Sequence, residues 1–229
     1  MTQDDAKRAV AQRAVQFVEG GMRVGLGTGT TSTMFIRALA EQVQRGLKIR
    51  CVASSDASQQ LGLSLGMDVT TLDQLPELDL YVDGADEVCL HNGGLDLIKG
   101  GGAALLREKI VASAAHRFLV VVDSTKVVSR LGAFPLPVEV IKMALHVVEP
   151  RLAALGLAPR LRLKKDGSGP LLTDENNYIL DCMGGVLADP AATAAAIRAV
   201  VGVVEHGLFL HSAELALVAG EGGVTELRP

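Results

Sequence analysis

Apolar and polar positions alternate along the first half of the chain in a way that predicts helices and strands in turn. Ala6, Val10 and Ala14 recur at helical spacing, and Gly20 and Gly21 end this first helix. Four short apolar segments follow, with an amphipathic segment of helical periodicity after each of the first three. This alternation is typical of an α/β fold in which helices cover both faces of a mostly parallel, Rossmann-like sheet. The predicted strands are MRVGLG, KIRCVAS, LDLYVDG and RFLVVVD.

The pattern changes after Lys126, where prolines appear and the apolar segments become shorter. Up to residue 206 it predicts strand, helix, two strands and helix, as in small ferredoxin-like α+β domains. The last apolar segment, HGLFLHSAELALVAG, is predicted to be one strand that returns to the first sheet. We expect the small domain to be an insertion that takes part in oligomer contacts. The predicted α/β domain comprises residues 1–131 and 207–229, and the small domain comprises residues 132–206.

Composition narrows the possible functions. The chain has 229 residues, of which 48% are hydrophobic, enough for a substantial buried core. Its net charge of −4 and the lack of a Lys/Arg cluster argue against binding to nucleic acid. Neither the cysteines nor the histidines have metal-binding spacing, and the cysteines suit a reducing compartment. Because no segment resembles a signal peptide or a membrane helix, we expect a cytoplasmic protein without membrane contact.

Polar motifs follow each of the four predicted strands, at the edge of the sheet where ligands bind in such folds. GTGTTS lacks the glycine spacing of a dinucleotide-binding loop, but its backbone N–H groups and four hydroxyl groups suit a single phosphate. A simple turn with a helix N-cap is the alternative. For SSDAS, after the second strand, capping is the better interpretation. The four hydroxyl residues are Thr28, Thr30, Thr31 and Ser32.

Two acidic residues mark the end of the third strand. Asp83 stands at its last position and Asp86 follows shortly after, so both carboxylates should enter one cleft. Two close carboxylates repel each other, which prepares one of them to carry a proton. The alternative is a turn in which Asp86 caps the next element. The neighbouring Glu87 is expected to be solvated.

The segment IKGGGAALLREKI combines glycines, a lysine and a glutamate. Its three glycines can present backbone N–H groups to an oxyanion, and Lys99 adds a positive charge beside them. Glu108 follows on the next helix, whose packing face is expected to include Leu105 and Ile110. A glutamate in this setting is usually a surface ion-pair residue. With the loop and the lysine, however, it would complete the set that removes a proton next to a carbonyl without a metal.

The chain resembles the type A ribose-5-phosphate isomerases in five segments spread over essentially its whole length. The resemblance implies interconversion of D-ribose 5-phosphate and D-ribulose 5-phosphate through an enediolate, in the non-oxidative pentose phosphate pathway. It also implies that the enzyme needs no cofactor or metal and works as a homodimer or homotetramer. The segments are GTGTTS, YVDGADE, KGGGAALLREKI, FPLPVEV and TDENNYILD.

The resemblance also implies roles for the motif residues. Glu108 would be the catalytic base, and Asp83 or Asp86 would open the sugar ring together with Lys99. One difference from the family lies between the acidic and glycine motifs, where residues 88–97 predict a longer turn. The implied substrate-binding residues are Lys7, Thr28, Gly29, Thr30, Thr31, Gly84, Ala85, Gly100, Gly101, Gly102 and Lys126.

Two other functions fit parts of this pattern. Another phosphosugar isomerase or an amino-sugar-phosphate deaminase would use a similar site, and a strict preference for five-carbon substrates would separate them from our first interpretation. A sugar-phosphate-sensing regulator would need a helix-turn-helix and a basic surface. We do not expect a sensor, because the first helix leads directly into the first strand.

Overall fold

Seven strands form the central sheet of the computed structural model, which describes residues 2–229. They are β1 (Arg23–Leu26), β2 (Arg50–Ala53), β3 (Val69–Thr70), β4 (Leu80–Asp83), β7 (Phe118–Asp123), β13 (Leu215–Gly220) and β14 (Gly223–Leu227). Their order is β14-β13-β7-β4-β1-β2-β3, and every neighbouring pair is parallel except β13 with β14. The four predicted strands are β1, β2, β4 and β7, which lie side by side, so the predicted parallel sheet is confirmed.

Helices cover both faces of this sheet. They are α1 (Gln3–Val15), α2 (Thr30–Gln44), α3 (Asp56–Ser64) and α4 (Leu105–Ser113). α1 and α2 pack against one face through residues such as Val10 and Phe35. α4 packs against the other face through Val111. Because β1, β4 and β7 are parallel, their carboxyl ends meet at one edge of the sheet, where the intervening loops can form a site.

A three-stranded antiparallel sheet packs on the same face as α4. It contains β5 (Glu87–His91), β6 (Gly94–Ile98) and β12 (Leu208–Ala213). The segment expected to be a longer turn is thus a β-hairpin, closed by Asn92 and Gly93 with φ angles of 49° and 72°. The prediction of a single last strand is also wrong, because β12 joins this sheet while β13 returns to the central one.

Residues 136–206 contain a four-stranded antiparallel sheet with the order β11-β8-β10-β9 and two helices. The sheet and helices share a hydrophobic core that includes Val138, Leu152 and Ile197. β11 was not predicted, and the division into two domains stays a prediction. Among residues 2–229, no helix has both the length and the apolar character needed to cross a membrane. The elements are β8 (Leu136–Val140), α5 (Leu145–Ala154), β9 (Ala158–Leu161), β10 (Tyr178–Met183), α6 (Pro190–Arg198) and β11 (Val203–His206).

Candidate active site

A cleft of about 180 Å³ lies at the carboxyl ends of β1, β4 and β7. All eleven residues that the sequence suggested for substrate binding line it, together with Asp86, Lys99 and Glu108. Asp83 is the one suggested catalytic residue that does not line it. A larger groove of about 1020 Å³ runs between α1 and α2 and adjoins the cleft. We place the site in the smaller cleft, because the groove has none of the four suggested catalytic residues in its lining.

One end of the cleft can attract an anion. α2 begins at Thr30 and no side chain caps its first turn, so free N–H groups and the positive end of the helix dipole lie there. Lys7 from α1 and Lys126 from the turn after β7 line the same cleft. Ser32 differs from the prediction, because its hydroxyl group is buried and donates to Asp83 at 2.8 Å. The predicted contact between Ser32 and a phosphate is therefore wrong.

Asp83 lies beneath the cleft and is completely buried at the end of β4. Gly27 allows this position, because a Cβ atom at residue 27 would come within 2.2 Å of a carboxylate oxygen of Asp83. Five donors saturate the two oxygens of this carboxylate. They are the N–H groups of Thr28 (2.9 Å) and Gly84 (2.7 Å), the hydroxyl groups of Ser32 (2.8 Å) and Tyr81, and the Lys99 ammonium group (2.8 Å).

Lys99 connects Asp83 to the cleft. Its buried ammonium group lies 2.8 Å from Asp83 Oδ2, 2.6 Å from the Gly84 carbonyl oxygen and 3.3 Å from Glu108 Oε2. Burial alone would lower the pKa of Lys99, but the carboxylates of Asp83 and Glu108 outweigh it, and the pKa is raised. Lys99 is thus a fixed positive charge at neutral pH. Within residues 2–229, no three His, Cys, Asp or Glu side chains are grouped so that they could hold a metal ion.

Glu108 lies on the buried face of α4 and not on the surface. It is 3% exposed, and Leu105 and Val111 share this face, whereas Ile110, which we expected there, is 45% exposed. Among the described residues 2–229, Glu108 Oε2 has no hydrogen-bond partner, although Lys99 makes an ion-pair contact with it at 3.3 Å. Burial raises the pKa of Glu108 to about 8, while Lys99 acts in the opposite direction. Such a proton affinity suits a base that works near neutral pH.

The glycine loop meets Asp86 at the rim of the cleft. Asp86 is half-buried, and its Oδ2 atom accepts a hydrogen bond from the Gly101 N–H group at 2.7 Å. A Cβ atom at residue 101 would come within 2.5 Å of the same carboxylate, so any larger residue there would displace the Asp86 side chain. One of the N–H groups expected to face an oxyanion is therefore already engaged, and Gly102 is the next residue of the loop that borders the cleft.

Sequence reasoning missed three residues at this site. Gln3 and Asp123 line the cleft and contact each other at 3.5 Å. Asp123 ends β7 as Asp83 ends β4, so its position at the carboxyl end of a predicted strand was a usable signal. Tyr81 is completely buried, and its hydroxyl group donates to Asp83. Burial raises the pKa of Tyr81, so this hydroxyl group keeps its proton and acts as a donor.

Two other predictions near the motifs have different outcomes. Glu87 is buried rather than solvated, because its carboxylate accepts hydrogen bonds from the N–H groups of Gly132 (2.7 Å) and Phe134 (2.6 Å). These partners are distant in sequence and could not be inferred from the residues around Glu87. The capping interpretation of SSDAS is confirmed, since the Ser55 hydroxyl group accepts from the Ser58 N–H group at the start of α3.

Comparisons with known proteins show which family this chain resembles. The sequence profile of ribose 5-phosphate isomerase A (phosphoriboisomerase A) matches residues 50–223. The chain is 50% identical over 225 residues to a ribose-5-phosphate isomerase A from Sinorhizobium fredii, with 96% of each chain covered. The solved structure of ribose 5-phosphate isomerase A from Methanocaldococcus jannaschii has a TM-score of 0.93 and 37% identity, with both chains fully covered.

A second solved structure extends this comparison. A D-ribose-5-phosphate isomerase in complex with phospho-erythronic acid has a TM-score of 0.95 and 35% identity to this chain, with both chains fully covered. The profile, the Sinorhizobium fredii protein and both solved structures carry the family name that the sequence motifs suggested. The chain belongs to the ribose 5-phosphate isomerase A family.

Proposed function

We propose that this protein interconverts D-ribose 5-phosphate and D-ribulose 5-phosphate through an enediolate, with Glu108 as the base. The observation that carries the proposal is the buried Glu108 carboxylate, whose Oε2 atom lacks a hydrogen-bond partner among residues 2–229 and lies beside Lys99. A base that takes a proton from carbon needs such a free oxygen, and a nearby fixed cation stabilises the negative charge that develops.

The phosphate end of the substrate would lie at the start of α2. Lys7 and Lys126 line the same cleft, and the uncapped N–H groups of the first helical turn supply hydrogen-bond donors. The sugar carbons would then extend toward Lys99 and Glu108. The solved relative described with phospho-erythronic acid supports this class of ligand, because that compound is a phosphorylated acid whose planar carboxylate resembles an enediolate.

Glu108 would move the proton between the two reacting carbons. In the forward direction its carboxylate takes the proton from C2 of the open-chain aldose, and the electron pair moves onto the C1 oxygen. The Lys99 ammonium group, 3.3 Å from Glu108, and the glycine loop stabilise the enediolate. Glu108 then returns the proton to C1 while the C2 hydroxyl proton passes to the C1 oxygen, so that C2 becomes the carbonyl carbon of the ketose. A base and an oxyanion donor each contribute about 10²–10³-fold or more, so both are needed.

We assign the opening of the furanose ring to Asp86 rather than Asp83. Asp83 is saturated by five donors and does not line the cleft. Asp86 lines it, and among residues 2–229 only the Gly101 N–H group donates to its carboxylate. Asp83 then serves to hold Lys99.

We expect Asp86→Asn to slow isomerisation of the cyclic substrate more than exchange of solvent deuterium into the open-chain ketose. Asp83→Asn should slow both reactions equally, because it releases Lys99. Equal effects of Asp86→Asn on both reactions would contradict this assignment.

The proposed function is tested by Glu108→Gln. The amide keeps the shape of the side chain but cannot accept a proton from carbon, so kcat should fall by about two powers of ten or more while KM for ribose 5-phosphate changes little. Solvent deuterium should no longer enter the sugar. Glu139→Gln is the matched control, because Glu139 is also buried with a raised pKa but does not line the cleft.

Three outcomes would count against this proposal. Turnover by Glu108→Gln at the wild-type rate would mean that another group is the base. Failure of the wild-type protein to convert ribose 5-phosphate would reject the substrate. Preferential turnover of a six-carbon phosphosugar, or release of ammonia from an amino-sugar phosphate, would favour the related isomerases or deaminases.

We also propose that residues 132–206 form a small domain through which the protein associates as a homodimer or homotetramer. Four large apolar side chains are exposed around the junction of β8, α5 and β11, and their burial against a second copy would be favourable. Met143 is 91% exposed and Val201 is 78% exposed. The four apolar residues are Ile141, Met143, Val147 and Val201.

The three buried free thiols suit the reducing cytoplasm, where we expect the protein to act.

A further inference from the structure

Arg162 contacts the glycine loop but is not part of the cleft lining. It directly follows β9, and its side chain is 14% exposed. One guanidinium nitrogen, Nη1, donates to the carbonyl oxygens of Gly100 at 2.8 Å and Gly101 at 3.2 Å. The other two nitrogens, Nε and Nη2, pair with the Asp181 carboxylate on β10, with Nε at 2.8 Å. All three nitrogens of the guanidinium group are thus engaged.

The geometry of the peptide bond connects these contacts to the cleft. In a trans peptide the C=O group of one residue and the N–H group of the next point in opposite directions. The Gly100 carbonyl shares a peptide plane with the Gly101 N–H group, and the Gly101 carbonyl shares one with the Gly102 N–H group. Since Arg162 holds both carbonyl oxygens, both N–H groups point away from it. The first donates to Asp86 at 2.7 Å, which agrees with this direction.

We propose that Arg162 is a positioning residue that fixes and polarises the two peptide groups of the glycine loop, so that the Gly102 N–H group stabilises the developing oxyanion while the Gly101 N–H group holds Asp86. This inference rests on the proposed isomerase mechanism. A positive charge on a carbonyl oxygen strengthens the hydrogen bond given by the N–H group of the same peptide. Donors that are already oriented need no rearrangement when charge develops in the transition state. Glycines alone could not hold such an orientation, because they restrict the backbone least.

Asp181 holds the Arg162 guanidinium group in a fixed orientation. A carboxylate that pairs with two nitrogens of one guanidinium group fixes the plane of that group. The pairing with Asp181 on β10 therefore also fixes the direction of the third nitrogen, Nη1, toward the glycine loop. A lysine at residue 162 would carry the charge but could not reproduce this fixed fork. The four-stranded sheet would therefore contribute to the reaction although none of its side chains lines the cleft.

The first test measures the activity of Arg162→Met, Arg162→Lys and Asp181→Asn. The control is Arg160→Met, because Arg160 is exposed on β9 and forms no ion pair with any of residues 2–229. We expect Arg162→Met to lower kcat by about ten- to a hundredfold with KM for ribose 5-phosphate within about twofold, because the lost stabilisation belongs to the transition state. Arg162→Lys and Asp181→Asn should lose less, and Arg160→Met should match the wild type. An unchanged kcat for Arg162→Met, or a change confined to KM, would overturn the inference.

The second test separates positioning from a purely structural role. Arg162→Ala is assayed with and without added methylguanidinium, at concentrations too low to unfold the wild-type protein. We expect kcat to recover at least in part, because the added cation can occupy the space between Asp181 and the two carbonyl groups. Loss of activity that follows a loss of folded protein and is not restored by methylguanidinium would overturn the inference.

Parallel assays keep this inference distinct from the proposed function. If Glu108→Gln is inactive while Arg162→Met works at the wild-type rate, the proposed function stands and only the role of Arg162 fails. If Glu108→Gln is active, the proposed base is wrong, whatever Arg162→Met shows.

Discussion

Glu108, Lys99 and Asp83 form one buried group of charges, in which the proton affinity of Glu108 depends on the other two. The single lysine lies between two carboxylates, at 2.8 Å from Asp83 and 3.3 Å from Glu108. Asp83 also has four other donors, whereas Glu108 Oε2 has no hydrogen-bond donor among residues 2–229. The proton that this group can exchange is therefore held mainly by Glu108, the residue that faces the cleft.

This arrangement predicts how activity depends on pH. The base must be ionised, and burial raises the pKa of Glu108 from 4.5 to about 8 in the free enzyme. We therefore expect kcat/KM to rise with pH through the neutral range, with a midpoint near pH 8, and to level off above about pH 9. The measurement is kcat/KM from about pH 5 to about pH 10, with Glu108→Gln as the variant that should lack this rise. A midpoint near the ordinary glutamate value of 4.5 would contradict the prediction.

At the scale of single elements, β8 carries a second buried carboxylate. Glu139 is 1% exposed, and its Oε1 atom accepts hydrogen bonds from Thr173 at 2.9 Å and Asn177 at 3.0 Å. Its Oε2 atom has no partner within residues 2–229, and burial raises its pKa. The segment TDENNYILD, which the resemblance singled out, thus begins with a loop that rests on this carboxylate.

We predict that Glu139→Gln stabilises the protein, and more so at higher pH. The folded state holds the Glu139 proton above the ordinary pKa of 4.5, where the unfolded chain releases it. Stability from this group is complete below that value and is lost as the pH rises through the raised folded pKa. Glutamine does not titrate and still offers an oxygen to Thr173 and Asn177. We expect a gain of about 1 kcal/mol at pH 8 and less at pH 5.

Urea unfolding of both proteins at the two pH values checks this prediction. Asp174→Asn is a suitable comparison, because Asp174 lies in the same loop but is partly exposed at the edge of an ion-pair cluster with Arg107. A Glu139→Gln protein that is less stable than the wild type at pH 8 would show that the ionised carboxylate is needed there.

The elements that sequence patterns predicted are those with continuous local signals. β1, β2, β4 and β7 are apolar segments followed by polar motifs, and their order and parallel pairing are confirmed. The sequence pattern predicts a turn where the structure has the β5–β6 hairpin, although Asn92-Gly93 between alternating apolar residues is a recognised hairpin signal. β3 has only two residues and β14 has no buried residue, so neither carries an apolar pattern that can be detected.

In the candidate site, too, features set by neighbouring residues could be predicted from the sequence, whereas contacts between distant residues could not. The spacing of Leu105, Glu108 and Val111 placed the glutamate on the apolar face of its helix, so its burial could have been read from the sequence. The contacts of Arg162 with the glycine loop could not, because they depend on how β9 and β10 lie against a loop far away in the sequence. The resemblance also carried no role for Arg162.

At the scale of the whole molecule, the exposed apolar surface around Met143 predicts self-association. Met143→Glu combined with Val201→Glu should reduce the mass in solution, because two charges would be buried at the proposed contact. Light scattering after gel filtration measures that mass, and circular dichroism confirms that the variant is folded. Leu63→Glu is the control, because Leu63 is an exposed apolar residue on α3, outside residues 132–206. Equal masses for the variant, the control and the wild type would contradict this proposal.

The parallel pairing of β7 with β13 has a consequence for how fast the enzyme can assemble. Leu215 pairs with Leu119 although the whole four-stranded sheet and β12 lie between them in the chain. Contacts between such distant residues form late in folding, because a long loop must close before they do. Until then β7 has one unpaired edge, and Asp123 at its end is not fixed beside the cleft. During refolding we expect helical content to return first and isomerase activity to follow only when β13 is in place.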